Sequence, residues 1–376
     1  MSAETMVALS GGVDSATTAW LLQRQGESVA AMFMKNWEGD DHVDGCTAEA
    51  DAADARAVAE QLGIDFYARN FATEYWENVF ETFLAELKAG RTPNPDILCN
   101  REIKFKAFLD HAIELGAACI ATGHYARRRV LDDGSVALFK GVDHNKDQSY
   151  FLHALDQAQL EKARFPLGEL TKDQVRRWAE QAQLPVAHKK DSTGICFIGE
   201  RRFDAFIDDY LTGQPGPIVC ADDGSVVGTH TGLMHYTLGQ RKGLAIGGLK
   251  HHPEAPWFVV EKDLQHNTLY AAQDSHHPML MSTQLQAHQA HWIAATPPAL
   301  GRPLTAKIRY RQADQPCQIT AIDGDAITVR FDAPQRAATP GQSIVFYRGE
   351  QCLGGAVITE TNAVKPERMI EATAQA

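Results

Sequence analysis

The segment that most restricts the fold of this chain is residues 10–15, which read Ser-Gly-Gly-Val-Asp-Ser. It follows the apolar run 6–9 and precedes residues 16–25, which have a helical pattern and stop at Gly26. This order predicts a strand, a glycine turn and the start of a helix. At such a turn, free backbone N–H groups and the helix dipole attract phosphate. The two glycines let the backbone approach an anion closely, so we expect a phosphate site here.

The common nucleotide motif Gly-x-x-x-x-Gly-Lys-Ser/Thr does not occur in the sequence. The pattern Ser-Gly-Gly-x-Asp-Ser instead resembles the pyrophosphate loop of ATP-dependent enzymes that adenylate a carbonyl-type oxygen. That resemblance implies that the loop holds pyrophosphate as a leaving group and that Asp14 helps to hold magnesium. The alternative is an ordinary glycine-rich turn, and six consecutive matches in the right context argue against it.

Alternating strand and helix patterns continue to about residue 203. The strand candidates are residues 28–34, 64–69 and 117–121, and the helix candidates are residues 48–62, 73–88 and 101–115. Repeats of this length predict an α/β fold, with a parallel sheet and helices on both faces. Ligands bind beyond the carboxyl ends of such strands. Because Met34, Gly123 and the 10–15 loop follow predicted strands, we expect them to line one pocket.

The pattern changes after residue 203. Residues 215–217, which read Pro-Gly-Pro, suggest a break, and residues 224–248 are rich in glycine. Short strand candidates follow at residues 305–311, 317–322, 326–331, 343–347 and 354–358. Strands at this spacing predict a small antiparallel β-barrel. We therefore expect an ATP-binding catalytic domain at 1–203, a small β-rich central domain at 204–282 and a β-barrel domain at 283–376.

Composition argues against several classes of protein. The 44% hydrophobic and 22% charged residues are typical of a soluble globular protein. Neither a run of about 18 apolar residues nor a signal-peptide pattern occurs, so a cytoplasmic protein is expected. The seven cysteines are scattered and form no Cys-x-x-Cys pair, which argues against a disulfide framework or a zinc ribbon.

The formal net charge of −12 argues weakly against a nucleic-acid partner, because affinity for phosphate backbones comes from cationic contacts. The distribution of the basic residues softens this argument, since four basic clusters could together form a track for RNA phosphates. These clusters are Arg127-Arg128-Arg129, Lys189-Lys190, Arg201-Arg202 and Arg241-Lys242.

Cys99 and Cys196 differ from the other cysteines in their loop setting. Prolines at 93 and 95 predict a stiffened loop before a helix that begins near Arg101. At a helix N-terminus with Arg101 and Lys104 nearby, the Cys99 thiol is expected to have a lowered pKa. Cys196 lies in a second turn-rich loop, a few residues after two lysines. The others are interpreted as small apolar residues, namely Cys46, Cys119, Cys220, Cys317 and Cys352.

With these segments in view, the chain closely resembles the tRNA-specific 2-thiouridylase family of bacteria. The matching stretches extend through all three predicted domains, so the resemblance covers nearly the whole chain. They are residues 10–15, 33–37, 90–100, 121–125, 145–152, 190–200, 238–244 and 340–342. A match of this extent is far more specific than one glycine motif.

The resemblance implies a reaction in two stages. With ATP and magnesium, the enzyme would attach AMP to the 2-oxygen of the wobble uridine in certain tRNAs, after the base is extruded from its stack. Cys196 would carry sulfur as a persulfide received from a sulfur-relay protein. Cys99 would attack either that persulfide or the activated base. A disulfide between the two cysteines would then be a by-product of the chemistry.

The same resemblance implies roles for individual residues. The nucleotide contacts would be Ala8, Leu9, Ser10, Gly11, Gly12, Val13, Asp14, Ser15, Met34 and Gly123. The flipped base would be held by Asn94, Pro95 and Asp96, and the tRNA contacts would be His124, Lys146, Asp147, Gln148, Arg309, Tyr310 and Gln342. For some of these the residue type alone favours a simpler interpretation: a core position for Met34, a cap for His124 and a solvated strand for Arg309-Tyr310.

Three alternatives remain open. An amide-forming ligase could use the same loop, although Cys196 and the barrel would then have no explanation. A tRNA-binding protein could keep ATP only as a structural ligand, which the presence of Asp14, Cys99 and Cys196 makes less plausible. Finally, Asp96, Cys99 and Cys196 could ligate an iron–sulfur cluster in place of persulfide relay. Such a mixed ligand set is unusual for a cluster, so we rank it below the persulfide.

Overall fold

The computed structural model describes residues 4–38, 47–191, 203–248 and 251–366. The glycine motif lies between strand β1 (Thr5–Ala8), which is wholly buried, and helix α1 (Val13–Arg24). Helix α1 ends where Gly26 adopts a left-handed conformation with φ of 82°, a common way to terminate a helix. The strand, turn and helix expected from the sequence are therefore confirmed.

Strand β1 is the centre of a five-stranded sheet with the order β3-β2-β1-β4-β7, in which all neighbours are parallel. Its other strands are β2 (Val29–Lys35), β3 (Phe66–Asn70), β4 (Cys119–Ala121) and β7 (Ala163–Arg164). Successive side chains point to opposite faces of a sheet. Met6 and Met32 therefore pack into an aromatic-rich core on one face, whereas Leu9 and Phe33 pack on the other.

Helices cover both faces of this sheet, as predicted. They are α1, α2 (Thr47–Leu62), α3 (Ala72–Tyr75), α4 (Glu81–Lys88), α5 (Pro95–Leu98), α6 (Phe108–Glu114), α7 (Gln157–Glu161) and α8 (Lys172–Gln181), with a 3₁₀ turn at Ser149–Leu152. Two π-helical segments make longer continuous helices: Trp76–Phe80 joins α3 to α4, and Cys99–Ala107 joins α5 to α6. Segments of this kind are frequent at functional sites.

One helix begins earlier than predicted. The sequence argument placed a loop before Arg101, but the helix starts at Pro95. Asn94 is the N-cap, and its Oδ1 accepts a hydrogen bond from the backbone N–H of Asp96 at 3.2 Å. A proline is well suited to the first helical position, because the N–H that it lacks has no partner there in any helix. The prolines therefore mark a helix start, and the expectation of a stiffened loop up to Arg101 was wrong.

A hairpin leaves the catalytic domain and pairs with the barrel. It consists of β5 (Ala126–Val130) and β6 (Val136–Lys140), and β6 pairs with barrel strand β17 (Gln351–Thr361). Arg127 is buried, donates to the carbonyl of Lys140 and pairs with Glu350. Arg127 thus stabilises a domain junction and is not available to a phosphate track, whereas Arg129 is 52% exposed, so a role of this cluster in such a track stays a prediction.

A smaller mixed sheet follows helix α9 (Phe203–Asp208), with the strand order β10-β11-β8-β9. Its strands are β8 (Gly216–Cys220), β9 (Val226–His230), β10 (Phe258–Asp263) and β11 (Thr268–Ala272), accompanied by 3₁₀ turns at Leu233–His235 and Pro278–Leu280. Strands β11 and β8 are parallel, and the other pairs are antiparallel. The glycine-rich region between 224 and 248 therefore contributes one strand and several turns.

The last part of the chain forms the predicted antiparallel barrel. Its strands are β12 (Met281–Trp292), β13 (Leu304–Lys307), β14 (Gln315–Asp323), β15 (Ala326–Arg336), β16 (Ser343–Arg348) and β17. The order β12-β15-β14-β13-β16-β17 is closed by pairing of β12 with β17. One strand is shorter than expected: β13 ends at Lys307, so Arg309 and Tyr310 lie in a turn. No described helix is long and apolar enough to cross a membrane.

Candidate active site

The phosphate loop is closed by its two serines. The Ser15 hydroxyl accepts a hydrogen bond from the backbone N–H of Ser10 at 3.1 Å and donates one to the carbonyl of Gly12 at 3.0 Å. Gly12 is the N-cap of α1 and no side chain caps this helix, so its first N–H groups are available to an anion. Gly11 has φ of 76°, and a Cβ there would lie 2.3 Å from the carbonyl oxygen of Asp51. Only glycine fits this position.

Asp14 projects from the first turn of α1 and has one oxygen engaged. Its Oδ1 accepts hydrogen bonds from Lys172 Nζ at 2.7 Å and from the Tyr125 hydroxyl at 2.8 Å. Burial, with the nearby Asp14 charge, raises the pKa of Tyr125, so its hydroxyl remains a donor. From the described residues, Asp14 Oδ2 accepts no hydrogen bond. The carboxylate is therefore oriented while one oxygen stays available to a ligand.

A second carboxylate gathers the cations near the loop. Asp191 accepts from Lys146 at 2.6 Å and pairs with Lys172 and Arg176, both at 2.7 Å. Burial acts to raise the pKa of Asp191, but hydrogen bonds from the two lysines outweigh it and lower the pKa to about 2. Lys172 thus connects Asp191 with Asp14. Of the three cations bound by Asp191, Lys172 is the one shown to contact the phosphate loop, through Asp14.

Lys189 reinforces the other side of the loop. Its Nζ donates to the carbonyl of Gly11 at 3.1 Å and pairs with Asp51 at 2.6 Å and Asp54 at 2.5 Å. Both carboxylates come from α2. Burial tends to lower the pKa of Lys189, yet hydrogen bonds to Asp51 and Asp54 raise it overall. Since this lysine is fully paired, it stabilises the loop rather than offering a free cation to RNA.

The end of β4 touches the phosphate loop directly. A Cβ at Gly123 would lie 2.9 Å from the backbone N of Ser15 and 3.0 Å from the carbonyl carbon of Asp14. The adjacent His124 is buried, and its Nδ1 lies 2.8 Å from the Thr122 hydroxyl. Gly123 therefore lies against the loop, as expected from its position at a strand end. Met34, at the end of β2, is half-buried and packs against the larger core.

Cys99 lies in the helical segment whose Phe105 packs against His124. Its side chain is only 1% exposed, and its backbone N–H is bonded within the helix to carbonyls of residues 95 and 96. The prediction that the Cys99 thiol lies at a free helix N-terminus is therefore wrong. Arg101, which was expected to activate it, pairs instead with Glu102 at 2.7 Å. Cys99 is inside a helix and its thiol is in a dry environment.

The continuous helix that contains Cys99, residues 95–114, is called the thiol helix below. Its polar groups include Asp96 and Lys104, and His124 lies beside it. Burial raises the pKa of Asp96, while the charge of Lys104 lowers it in part. Burial also lowers the pKa of His124 well below its usual value, and the charge of Lys104 adds to the effect. The imidazole of His124 packs against Phe105, with ring centroids 5.9 Å apart. A neutral, buried imidazole fits a structural role, and its burial gives no support to a direct contact with tRNA.

The barrel reaches this helix through the preceding turn. The backbone N–H of Thr92 donates to the carbonyl of Pro340 at 2.9 Å, and Gln342 Nε2 donates to the carbonyl of Thr92 at 2.7 Å. Gly341 lies so close that a Cβ there would be 2.8 Å from the Thr92 nitrogen. Gln342, predicted to contact tRNA, therefore holds the segment that leads into Asn94 and the thiol helix.

The other predicted tRNA contacts lie along the junction of the catalytic domain and the barrel. Asp147 is buried, and its carboxylate accepts from the backbone N–H groups of Gly141 and Ser149, both at 3.1 Å. Gln148 exchanges two hydrogen bonds with the backbone of Tyr125, at 3.1 and 2.9 Å. Lys146, as described above, pairs with Asp191. The side chains of these three residues thus form hydrogen bonds or ion pairs within the protein, and those of Lys146 and Gln148 help to hold the site residues Asp191 and Tyr125 in place.

Arg309 and Tyr310 also have partners inside the molecule. The Arg309 guanidinium donates to the carbonyl of Leu238 at 2.7 Å and to that of Ala337 at 3.0 Å, so it joins the central domain to the barrel. Tyr310 packs on Phe151, with ring centroids 4.4 Å apart. A solvated strand was the simpler sequence interpretation of this pair, and it is wrong, because both residues lie in a packed turn.

Among the basic clusters, Arg241 and Lys242 are exposed, and within the described ranges neither side chain has a hydrogen bond or an ion pair. Cys196 and the Arg201-Arg202 cluster lie outside the described residues. Sequence reasoning missed Lys172 and Asp191 and gave Tyr125 no role. Tyr125 belongs to a stretch that was noted, but nothing local signalled that Lys172, far along the chain, would reach Asp14.

Three family models match the chain. The tRNA methyl transferase HUP domain matches residues 3–200, the tRNA methyl transferase PRC-barrel domain matches residues 204–273, and the aminomethyltransferase beta-barrel domain matches residues 282–358. The first alone covers more than half of the chain. Together the three ranges follow the parallel sheet, the smaller mixed sheet and the closed barrel described above.

Curated relatives match over almost the full length. The tRNA-specific 2-thiouridylase MnmA of Proteus mirabilis is 58% identical over 94% of this chain and 96% of its own length. The protein of the same name from Pectobacterium carotovorum is 58% identical over 95% of this chain and 97% of its own. Among solved structures, the U34-tRNA thiolase NcsA of Methanococcus maripaludis is 21% identical with a TM-score of 0.33, covering 55% of this chain and 64% of that chain.

Proposed function

Because this chain belongs to the tRNA-specific 2-thiouridylase family, we propose that it is a tRNA sulfurtransferase that converts uridine to 2-thiouridine with the use of ATP. The observation that carries the proposal is the position of Gly123 and His124. Gly123 lies against the phosphate loop, and His124 packs beside the helix that contains Cys99. The helix that contains Cys99 is therefore connected through His124 to the carboxyl end of β4, the edge where ligands of such sheets bind.

The first step proposed is adenylation of the wobble uridine. The 2-oxygen of the base attacks the α-phosphorus of ATP, a new oxygen–phosphorus bond forms, and the bond to pyrophosphate breaks. The free N–H groups at the start of α1 and the cation of Lys172 are suited to hold the departing pyrophosphate. The backbone of residues 8–15, Met34 and Gly123 would hold the rest of the nucleotide.

The residues around Asp14 fit a magnesium ion, which the family implies. Magnesium prefers oxygen ligands and usually binds through one or two carboxylates together with substrate phosphates. Asp14 has one such oxygen available beside the phosphate loop, while its other oxygen is held by Lys172 and Tyr125. Asp14 is therefore the residue that we propose to hold the ion. The ion would supply charge neutralisation of the phosphates.

The second step proposed is sulfur transfer through two cysteines. Cys196, as a persulfide loaded by a sulfur-relay protein, would supply the sulfur. In one route the Cys99 thiolate attacks the inner sulfur of Cys196, so a Cys99–Cys196 disulfide forms and hydrosulfide leaves. Hydrosulfide then attacks C2 of the adenylated base, and AMP departs with the original oxygen. A thiol reductant restores both cysteines. Attack of Cys99 on the base itself is the second route.

Asn94, Pro95 and Asp96 are proposed to receive the extruded base beside the thiol. Extrusion is required because a stacked base hides its reacting oxygen. The raised pKa of Asp96, caused by burial, makes this carboxyl suited to exchange a proton with the uridine ring. An iron–sulfur cluster on Asp96, Cys99 and Cys196 is not part of this proposal, since a carboxylate is an unusual cluster ligand.

The exposed pair Arg241-Lys242 is the described basic cluster best suited to meet tRNA phosphates. We therefore propose that Arg241 and Lys242 make many of the tRNA contacts that were expected of Arg309, Tyr310 and residues 127–129. The proposed place of action is the cytoplasm, where a tRNA-modifying enzyme meets its substrate.

Mass spectrometry of tRNA nucleosides tests the proposal. Metal-free and iron-free protein, given back magnesium, is incubated with tRNA, ATP and a sulfide source, and 2-thiouridine is measured. Formation should require ATP, and it should release pyrophosphate. Thiolation at an equal rate without ATP would contradict the adenylation step, and thiolation that requires added iron would favour the cluster instead.

A further inference from the structure

Three potential metal ligands lie close together in the central domain, and none of them belongs to the site described above. They are Cys220 at the end of β8, Asp223 in the turn that follows, and His252 in the segment before β10. One donor atom of each lies within 4.8 Å of the donor atoms of the other two. Neither the adenylation step nor the sulfur transfer uses any of these residues.

The distances suit a zinc ion. Zn–N and Zn–O bonds of about 2.0–2.1 Å place two ligand atoms of a tetrahedral site about 3.4 Å apart. His252 Nε2 and Asp223 Oδ2 are separated by 3.7 Å, so little movement is needed to bring both to one ion. A thiolate and an imidazole are ligands that favour zinc or another borderline-soft metal over magnesium or calcium.

The surroundings orient these ligands. The Ser225 hydroxyl donates to Asp223 Oδ1 at 2.6 Å and so orients this carboxylate, and the His252 ring packs edge-on against Trp257 at 5.1 Å. The ion would replace the 3.1 Å contact between the Ser225 hydroxyl and His252 Nε2. A further carboxylate, Asp222, lies 3.9 Å from Cys220 Sγ. Two acidic side chains beside a buried sulfur form a negative environment that a divalent cation neutralises. Asp223 is 51% exposed, so a fourth position is open to water.

We propose that Cys220, Asp223 and His252 bind a zinc ion that links the β8–β9 turn to the segment before β10. Binding displaces the proton of the Cys220 thiol to solvent. The ion stabilises the fold of the central domain. A domain of this size has a small apolar core, and metal sites commonly stabilise such domains. The site does not depend on the proposed thiolation activity.

Cobalt provides the test, because Co²⁺ bound by thiolate gives a charge-transfer absorption that Zn²⁺ abolishes by competition. Full-length protein is stripped with a chelator and titrated with Co²⁺. Wild type should show the band at one ion per chain, and Cys220→Ser should lose it. Asp223→Asn and His252→Ala should weaken Co²⁺ binding at least about tenfold. The matched control is Cys317→Ser, which changes another buried cysteine and should keep the band.

Thiols of the proposed active site could also bind cobalt, so the Cys99→Ser/Cys196→Ser double variant is titrated in parallel. It should keep the full band. A band that disappears in this double variant and survives in Cys220→Ser would overturn the proposal. Should Cys220→Ser fold poorly, Asp223→Asn and His252→Ala give the answer, since unchanged Co²⁺ affinity in both would equally overturn it. Zn²⁺ should also raise the melting temperature of wild type and leave that of His252→Ala unchanged.

Discussion

The two sides of the proposed active site are stabilised in different ways. The phosphate loop is surrounded by ion pairs: Asp14 and Asp191 share Lys172, and Lys189 holds the carbonyl of Gly11. Cys99, on the other side, belongs to an apolar core cluster and is as buried as its neighbours there. One side offers donors that are ready for an anion, and the other keeps its nucleophile dry. We therefore expect ATP binding to need little rearrangement, whereas sulfur transfer requires that the buried thiol become accessible.

The difference extends to what holds each side in place. The loop depends on contacts within the catalytic domain, from α2, α8 and the end of β4. The segment before the thiol helix depends on the barrel, through the bonds between Thr92 and Pro340 and between Thr92 and Gln342. Through these bonds the barrel is positioned to influence the thiol side directly. Four predictions test this contrast, from the largest effect to the smallest.

Replacing Asp14 should have the largest effect, and it should act on the phosphate side alone. Asp14→Ala removes the carboxylate proposed to hold magnesium and the partner of Lys172, so tRNA-dependent pyrophosphate release should fall by about 100-fold or more. Asp132→Ala, at an exposed hairpin turn, is the control and should behave like wild type. Full pyrophosphate release by a well-folded Asp14→Ala protein would remove Asp14 from the proposed reaction.

A methyl group between the two sides should give the next largest effect. In Gly123→Ala the new Cβ would meet the backbone of Asp14 and Ser15, and overpacking of this kind costs about 1–3 kcal/mol. We expect ATP affinity, measured by calorimetry, to fall about tenfold. Gly247→Ala is the matched control, because a Cβ there has open space. If both variants bind ATP equally well, the nucleotide does not depend on this contact.

Weakening the barrel contact should affect only the thiol side. Gln342→Ala removes the hydrogen bond to Thr92, a loss of about 0.5–1.5 kcal/mol. Thiolation should slow by a few-fold, with ATP affinity unchanged, and exposed Gln286→Ala on the same barrel should change neither. A parallel loss of ATP affinity in Gln342→Ala would show that the two sides are not separately supported.

The smallest effect expected is on acid stability. Ion pairs lower the pKa of Asp191 from 3.8 to about 2, so the ionised carboxylate stabilises the fold above pH 4. This stabilisation is lost as the pH falls from 4 towards 2, because protonation then occurs in both states. The difference in unfolding midpoint between wild type and Asp191→Asn, measured with denaturant, should therefore shrink over this range. A difference that stays constant would mean that the charge of Asp191 contributes nothing to stability.

The sequence predicted the phosphate side well because its chemistry is local. A strand, two glycines and a helix start are consecutive in the chain, and the proposed donors to phosphate are backbone N–H groups of this same segment. The parallel sheet and the barrel were predicted for a similar reason, since apolar periodicity and turn residues are visible in short windows. Gly123 followed from the rule that ligands bind at the carboxyl ends of parallel strands.

The thiol side was predicted less well because it depends on residues distant in sequence. Burial of Cys99 follows from tertiary packing, and the partners of Arg309 come from Leu238 and Ala337. Residues 127–129 were interpreted as a basic cluster and not as part of the hairpin β5–β6, because the strand that pairs with this hairpin, β17, lies far along the chain. The helix start at Pro95 was missed for a different reason. Its signal is local, since Asn-Pro-Asp is typical of an N-cap followed by proline, but it was interpreted as a loop.

One measurement tests most directly the claim that the proposed site combines an ATP site with a separate thiol, Cys99, near the carboxyl end of the parallel sheet. Pyrophosphate and 2-thiouridine are quantified in the same single-turnover reaction for wild type, Cys99→Ser and Cys119→Ser, the last being a half-buried cysteine of the same sheet. The account predicts that Cys99→Ser still releases pyrophosphate but forms no 2-thiouridine, while Cys119→Ser forms both products. Formation of 2-thiouridine by Cys99→Ser at the rate of wild type would contradict it.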